Sequence, residues 1–298
     1  MSITLMQASV GTAAGLAVPV LAFALQAPAL IRPQVPVATA VEIAEQMLDF
    51  QAPGEFLVGG RQAAVPVQRQ TVGAFHIMAQ QVGLADYGRC VAAGVCIAPD
   101  ARPTVNDIPV TGVSFLDAEA YARWYSVATG GTWRLPTALE AAAAAGERFY
   151  GEPLSTVAED PRNPALRWIR QYREEAAAKR PRDSEPKRRG HYGPNTLGVE
   201  DVGGNVWEWT STCYSRHSRP ALGGGGAESI IENCGVRVLA GRHRAYLSDF
   251  VRNAKSGGCA VGTPPDNLGF RLVAEKSGSP ANAVLAVLRL TLPKVVRR

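Results

Sequence analysis

The sequence predicts an α+β fold, loop-rich, with two or three helices packed on small antiparallel sheets. Three observations predict it. Two segments carry both a helix-start and a helix-stop signal. Short apolar runs broken by Gly and Pro precede and follow them. The 298 residues also include 30 Gly and 21 Pro, while the hydrophobic content of 46% is that of a globular chain with an ample core.

Taken in order, the chain opens with 10-VGTAAGLAVPVLAFALQAPALI-31, which has no charge before Arg32 and is long enough to cross a bilayer as a helix. Pro19 and Pro28 interrupt it, and no Lys or Arg precedes it. Ala22-Phe23-Ala24 and Ala27-Pro28-Ala29 supply small-x-small patterns of the signal-peptidase kind. Residues 1–31 are read as a signal peptide or N-terminal membrane anchor, with an unstructured or packed apolar arm as the other reading. Export places the body outside the cytoplasm, periplasmic or exported, and anchored to the inner membrane only if that segment stays uncleaved.

Residues 32–53 read as a linker running into a short helix, 41-VEIAEQMLDF-50, with the folded body spanning 54–275. The runs 55-EFLVGG-60 and 65-VPVQRQTVGAFHIM-78 read as strands and turns. A helix starts at Ser114, with Asp117 three residues on. Ala118, Tyr121, Ala122, Tyr125 and Ala128 recur at helical spacing, and Gly130-Gly131 ends it. The next helix follows 133-WRLPT-137: Thr137 caps it, Glu140 closes a capping box, and an Ala run reaches Gly146. A third, from Asn163-Pro164, aligns Trp168, Ile169, Tyr172 and Ala176. Beyond Gly193 the pattern is short strands and long loops up to 267-NLGFRLV-273, and residues 276–298 form an apolar, basic tail.

Charge and motif content exclude several functions. The net charge of +5 is concentrated in 179-KRPRDSEPKRRGH-191, a solvated loop, with no aromatic-interleaved basic stripe; nucleic-acid binding is not expected. GxSxG, HExxH, P-loop and dinucleotide fingerprints are absent. The run 223-GGGG-226 reads as a flexible tip rather than a phosphate cradle. The five cysteines, Cys90, Cys96, Cys213, Cys234 and Cys259, show no CxxC or finger spacing. Pairing Cys90 with Cys96 and Cys213 with Cys234 suits an oxidising compartment and leaves Cys259 over, although spacing alone leaves the connectivity open.

The most unusual stretch is 203-GGNVWEWTSTCYSR-216, where Glu208 sits between Trp207 and Trp209. A carboxylate buried among tryptophans needs a partner. Together with 109-PVTGVSFLDAEAYARWYS-126, 133-WRLPT-137, 192-YGPNTLGVEDVGGNVWEWTS-211, 236-VRVLAG-241 and 268-LGFRLV-273, this stretch resembles the formylglycine-generating-enzyme, or sulfatase-modifying-factor, family. The fold this implies is a variant of the C-type lectin-like fold. The resemblance also implies a structural calcium ion, held by carboxylate oxygens of Asp201 and Glu208 and main-chain oxygens of Gly204 and Val206. The alternative is that Glu208 pairs with an Arg or caps backbone N–H groups, with the tryptophans as core.

Oxidases of that family bind copper(I) between two cysteines. The corresponding stretch here, 239-LAGRHRAYLSDFVRNAKSGGC-259, holds only Cys259, so formylglycine generation by that route is not expected. The family's iron-dependent branch uses a histidine triad, whereas His76, His191, His217 and His243 are scattered. What remains in the stretch is Arg242, His243, Arg244, Tyr246, Asp249, Arg252 and Cys259. Among these, His243, Cys259, Arg242 and Asp249 are catalytic candidates. The cluster reads as an anion or carboxylate site, as a copper or iron site using His243 and Cys259, or as structural ion pairs.

The blocks 209-WTSTCYSR-216, 232-ENCGVRVLAGRHRAYLSDFVR-252 and 256-SGGCAVGTPPDNLGFRLV-273 look like the branch of accessory proteins encoded beside copper-type nitrite reductases of denitrifying bacteria. That implies a periplasmic partner, a copper enzyme. The alternative is a metal-dependent oxidoreductase with a rearranged active site. A lectin-like binding module, on fold analogy alone, ranks behind both.

Overall fold

The structure is a computed structural model that describes residues 35–63, 65–99, 107–149, 185–221, 223, 225–241 and 267–275. The chain divides into two compact units, 1–33 and 34–298, and all described residues belong to the second. The N-terminal apolar segment, the helix expected from Asn163 and the basic tail lie outside the described residues.

The fold begins earlier than the linker reading has it. Residues 41–50 form two strands, not a helix: β1 (Ala40–Ile43) and β2 (Gln46–Gln51). β1 runs antiparallel to β6 (Phe75–Met78), with Ala40 opposite Met78 and Ile43 opposite Phe75. β2 pairs antiparallel with β5 (Val67–Val72). Val41 and Ile43 alternate as a strand requires, and this pairing with chain some 30 residues on overrides the local helix propensity of Glu, Gln, Met and Leu. Even residues before β1 are tied down: the Tyr125 hydroxyl accepts from the Ala38 amide at 2.7 Å and donates to the Pro36 carbonyl at 3.2 Å.

Between the first sheets come β3 (Gly54–Val58) and β4 (Arg61–Gln62), joined by a turn through Gly59 and Gly60. A nine-residue helix that the sequence reading leaves out follows β6. This is α1 (Leu84–Ala92), and it carries Cys90. Cys90 thus stands in the last turn of a helix, and Cys96 lies just beyond its end. Its start has no side-chain cap, because Gly83 stands at the N-cap.

The two signalled helices form as expected. α2 (Phe115–Thr129) opens on a complete Ser114–Asp117 capping box, and Gly130 closes it at φ 74°, a left-handed conformation that glycine adopts without steric cost. β7 (Trp133–Arg134) leads into α3 (Ala138–Ala145), which opens on the Thr137–Glu140 box. One face of α2 sets Tyr121 against Tyr87, Tyr125 and Phe270, with ring centroids 5.6, 5.6 and 5.5 Å away. Those rings, with Phe115, Trp124, Trp133 and Trp209, form the main core. Burial pushes the phenols of Tyr87, Tyr121 and Tyr125 above their ordinary pKa.

After residue 185 the described chain departs from the expected short strands at one place. It builds a long hairpin, β8 (Trp207–Arg219) and β9 (Ser229–Ala240), with Gly223, Gly225 and Gly226 in the connection. β10 (Leu268–Gly269) and β11 (Val273–Ala274) close the fold. One sheet runs β1-β6-β11-β7 and is antiparallel throughout. A second, β2 with β5, is antiparallel too, and the third runs β10-β8-β3-β4, with β9 on β8, and contains two parallel pairs, β3 with β8 and β10 with β8. Among the described residues two of the three sheets are therefore antiparallel throughout, as expected, and the third is mixed. Among the described residues no helix is long and apolar enough to cross a membrane.

Candidate functional site

The site is assembled around the start of β8. Trp209 is buried, donates its indole N–H to the Val113 carbonyl at 2.9 Å, and meets the Phe115 ring edge-on at 6.0 Å. Glu208 is flanked on both sides by strands: Gly269 of β10 stands beside it, and Ala240 of β9 stands opposite. Glycine is demanded at 269, because a Cβ there would lie 2.5 Å from the Val110 carbonyl oxygen. Close approach at that point carries the chain on to Arg271.

Arg271, only 2% exposed, answers the question that Glu208 raises. Its Nε donates to Glu208 Oε2 at 2.6 Å and its Nη2 to Oε1 at 2.7 Å, a two-pronged pair. The remaining guanidinium hydrogens reach the carbonyls of Met78 (3.2 Å), Ala79 (2.9 Å) and Glu200 (2.9 Å). Gln81 adds its Nε2 to Glu208 Oε1 at 2.9 Å. All five guanidinium hydrogens have acceptors, and the ion pair links the end of β6, β8, the connection between β10 and β11, and the turn at residue 200. It is a buried pair with its hydrogen-bonding capacity met, the condition under which such a pair is tolerated.

Asp201 is likewise fully engaged. It is wholly buried at φ 57°, and its two oxygens accept from the Gly190 amide at 2.6 Å and the Tyr192 amide at 2.8 Å. Gly204 donates its own amide to the Asp201 carbonyl at 3.1 Å. Of the set considered for calcium, Asp201, Gly204, Val206 and Glu208, the two carboxylates therefore do not fit a hard cation as placed. Both carboxylates face N–H donors, and Glu208 faces a full positive charge, whereas calcium needs converging oxygens without such competitors. Among the described residues no group of three or more His, Cys, Asp and Glu side chains could hold a metal ion.

Both expected disulfides are formed, Cys90–Cys96 and Cys213–Cys234. They differ in setting. Cys90 and Cys96 are 0% and 7% exposed, whereas Cys213 is half-buried and Cys234 is exposed on β9. Arg237, opposite Cys213 in the hairpin, donates Nη1 to the Cys213 sulfur at 3.1 Å and to the Ser211 carbonyl at 2.6 Å. Its guanidinium also lies 4.2 Å from the centre of the Phe115 ring.

The segment that carries Arg242, His243, Asp249 and Cys259, with Arg244, Tyr246 and Arg252, lies outside the described residues. Its ends do not. The chain leaves after Ala240, opposite Glu208, and returns at Leu268, beside Trp207. The ion pair thus underlies both ends of the stretch that holds the catalytic candidates. Of the other histidines, His76 is on β6, and His217 stacks on Phe56 at 4.2 Å with Nε2 2.9 Å from Ser215 Oγ.

Sequence reasoning missed Arg271, Gln81 and Arg237. For Arg271 a signal existed: an arginine inside the apolar run 268-LGFRLV-273 has to find a buried anion. For Arg237 and Gln81 no local pattern pointed to the partner.

The sulfatase-modifying factor enzyme 1-like domain matches residues 35–276. The chain belongs to that family. The start of the match agrees with the strands found from residue 40 onward. Among solved structures, PvdO from Pseudomonas aeruginosa is 22% identical with a TM-score of 0.50, over 80% of this chain and 95% of that one. At that identity the likeness concerns the fold alone. CarF is 19% identical with a TM-score of 0.44, over 81% of this chain and 99% of that one. Treponema denticola variable protein 1 is 17% identical with a TM-score of 0.44, over 80% and 95% respectively. No curated protein sequence matches the chain.

Proposed function

We propose that this family member is not a cysteine-oxidising enzyme but an accessory factor outside the cytoplasm, serving a copper enzyme, a nitrite reductase of denitrification. One observation carries the first half. Four of the five cysteines are tied into two bridges, which leaves Cys259 as the single thiol. A copper(I) site between two thiolates of one chain has no second thiolate to use.

The second half rests on the resemblance of 232-ENCGVRVLAGRHRAYLSDFVR-252 and its neighbours to the nitrite-reductase-associated branch. Two further points support it: the uncharged N-terminal run fits export, and two disulfides fit an oxidising compartment. A role for His243 and Cys259 in a rearranged copper or iron centre is the competing reading, and the same experiment tests it.

Purified full-length chain is assayed for oxygen uptake with a cysteine-containing peptide and for bound metal, and the gene is deleted in its own host. We expect no oxygen uptake, no stoichiometric copper or iron, and nitrite reductase that loses copper and activity in the deletion. Peptide oxidation, or stoichiometric metal lost on His243→Ala, would overturn the first half. Unchanged nitrite reduction in the deletion would overturn the second.

A further inference from the structure

We propose that the Cys213–Cys234 disulfide is a thiol-exchange site, in which a thiolate attacks Cys234 and Cys213 departs as a thiolate against Arg237. This goes beyond the accessory reading and does not depend on which partner that reading names.

Three observations converge on it. The first is access. Pairing along the hairpin jumps from Cys213 opposite Arg237 to Tyr214 opposite Asn233, so Cys234, Gly235 and Val236 occupy a bulge. Residues 229–235 of β9 are all exposed, so the Cys234 sulfur is carried on an open strand. Cys90–Cys96 is buried at both ends and serves as an internal control.

The second is polarity across the bond. Arg237 Nη1 lies 3.1 Å from the Cys213 sulfur, and no hydrogen bond to the Cys234 sulfur is seen among the described residues. A guanidinium at one sulfur stabilises negative charge there, which makes that sulfur the better leaving group and directs attack to the other. Of the charged residues nearby, Arg216 donates to Glu55 at 2.8 Å, and Glu232, two residues before Cys234, stands opposite Ser215 in the register.

The third is that the guanidinium is fixed. The Ser211 carbonyl and the Phe115 ring hold it, and its Nε is buried without a hydrogen-bond partner. Held from two sides, the cation stays beside the Cys213 sulfur as negative charge develops there.

The step balances without an external oxidant. A thiolate sulfur forms a bond to Cys234 Sγ. The Cys213–Cys234 bond breaks with its electron pair going to Cys213, and one disulfide is exchanged for another. Attack by Cys213 on the mixed disulfide reverses the step and releases the thiolate. The substrate class is a cysteine thiol, either of a small molecule or of a polypeptide.

The test uses the oxidised full-length chain, with reduced glutathione in one arm and a cysteine-containing peptide in the other. Acid quenching, alkylation and peptide mass mapping then locate the products. We expect the adduct on Cys234, opening at least ~10-fold faster than Cys90–Cys96, and Arg237→Met slower by about 10-fold, with Arg237→Lys restoring most of the rate. The faster arm names the thiol source. Reaction in neither arm, an adduct on Cys213, equal opening of both bridges, or an unchanged rate in Arg237→Met would overturn the proposal. A second measurement covers misfolding of the Arg237 variants. In a Cys234→Ser, Cys259→Ser chain, Cys213 is titrated by thiolate absorbance. Ionisation at least about one unit below the ordinary thiol value of about 8.5 supports the proposal, and ionisation at or above that value overturns it.

Discussion

At the scale of single residues the fold turns on Arg271 and Glu208. Each is almost fully enclosed, so removing either one strands the other's charge. Breaking such a buried pair typically costs about 3–5 kcal/mol. We expect Arg271→Met and Glu208→Gln each to lose stability of that order, read as a lower urea midpoint at unchanged m. Arg271→Lys should fare little better, since an ammonium cannot supply two parallel hydrogen bonds to Glu208 together with three to the Met78, Ala79 and Glu200 carbonyls. The same geometry bears on calcium. Because Glu208 already faces a guanidinium and Asp201 faces two amides, excess chelator should leave the thermal midpoint of the wild-type chain unchanged. A midpoint that falls with chelator and recovers with added calcium would show that these carboxylates exchange their N–H partners for the ion.

At the scale of elements, α3 offers a prediction with a sign. Glu140 accepts from Arg134 Nη1 and Nη2 at 2.8 and 2.6 Å and from the Thr137 amide at 2.8 Å. Burial pushes its carboxyl up, but these bonds outweigh burial and hold it below the ordinary carboxylate range. A carboxyl with a depressed folded pKa contributes stability that is present above the unfolded value, about 4.3, and disappears as the pH falls through the folded value. The unfolding midpoint should therefore drop as the pH falls below about 4.3, with a shallower drop in Glu140→Gln. Thr137→Ala removes the cap itself and should cost about 1 kcal/mol at neutral pH. The two boxes, Ser114–Asp117 and Thr137–Glu140, were legible in the sequence because capping is settled within four residues. β1 and β2 were not, because what makes them strands is their pairing with residues 67–78. α1 escaped notice for the opposite reason, since Gly83 offers no capping side chain to announce it.

At the scale of the whole molecule, the order of strands in space departs most from the order along the chain. β11, at residues 273–274, lies between β6 and β7, while β10 lies beside the start of β8. The sequence marked 267-NLGFRLV-273 as a closing strand but carried no sign of which sheet it joins, since pairing across some 200 residues leaves no local trace. The same is true of the parallel pairing of β3 with β8, whose residues 54–58 meet 215–219. A fold closed this way depends on its last strands. Residues 268–273 bring Leu268, Phe270, Leu272 and Val273 into the core, all fully buried, along with Arg271. Burying a large aliphatic or aromatic side chain is worth roughly 1.5–3 kcal/mol, so losing four of them and the ion pair together exceeds the stability of an ordinary domain at the low end of its range. A chain ending at Asp266 should therefore fail to fold, with far-ultraviolet dichroism of an unfolded chain and rapid proteolysis. A chain beginning at Gln34 keeps every described contact and should unfold cooperatively at the full-length midpoint. If the chain ending at Asp266 retained a cooperative transition, β10 and β11 would be an addition to a core that stands without them, and Glu208 would need a partner other than Arg271.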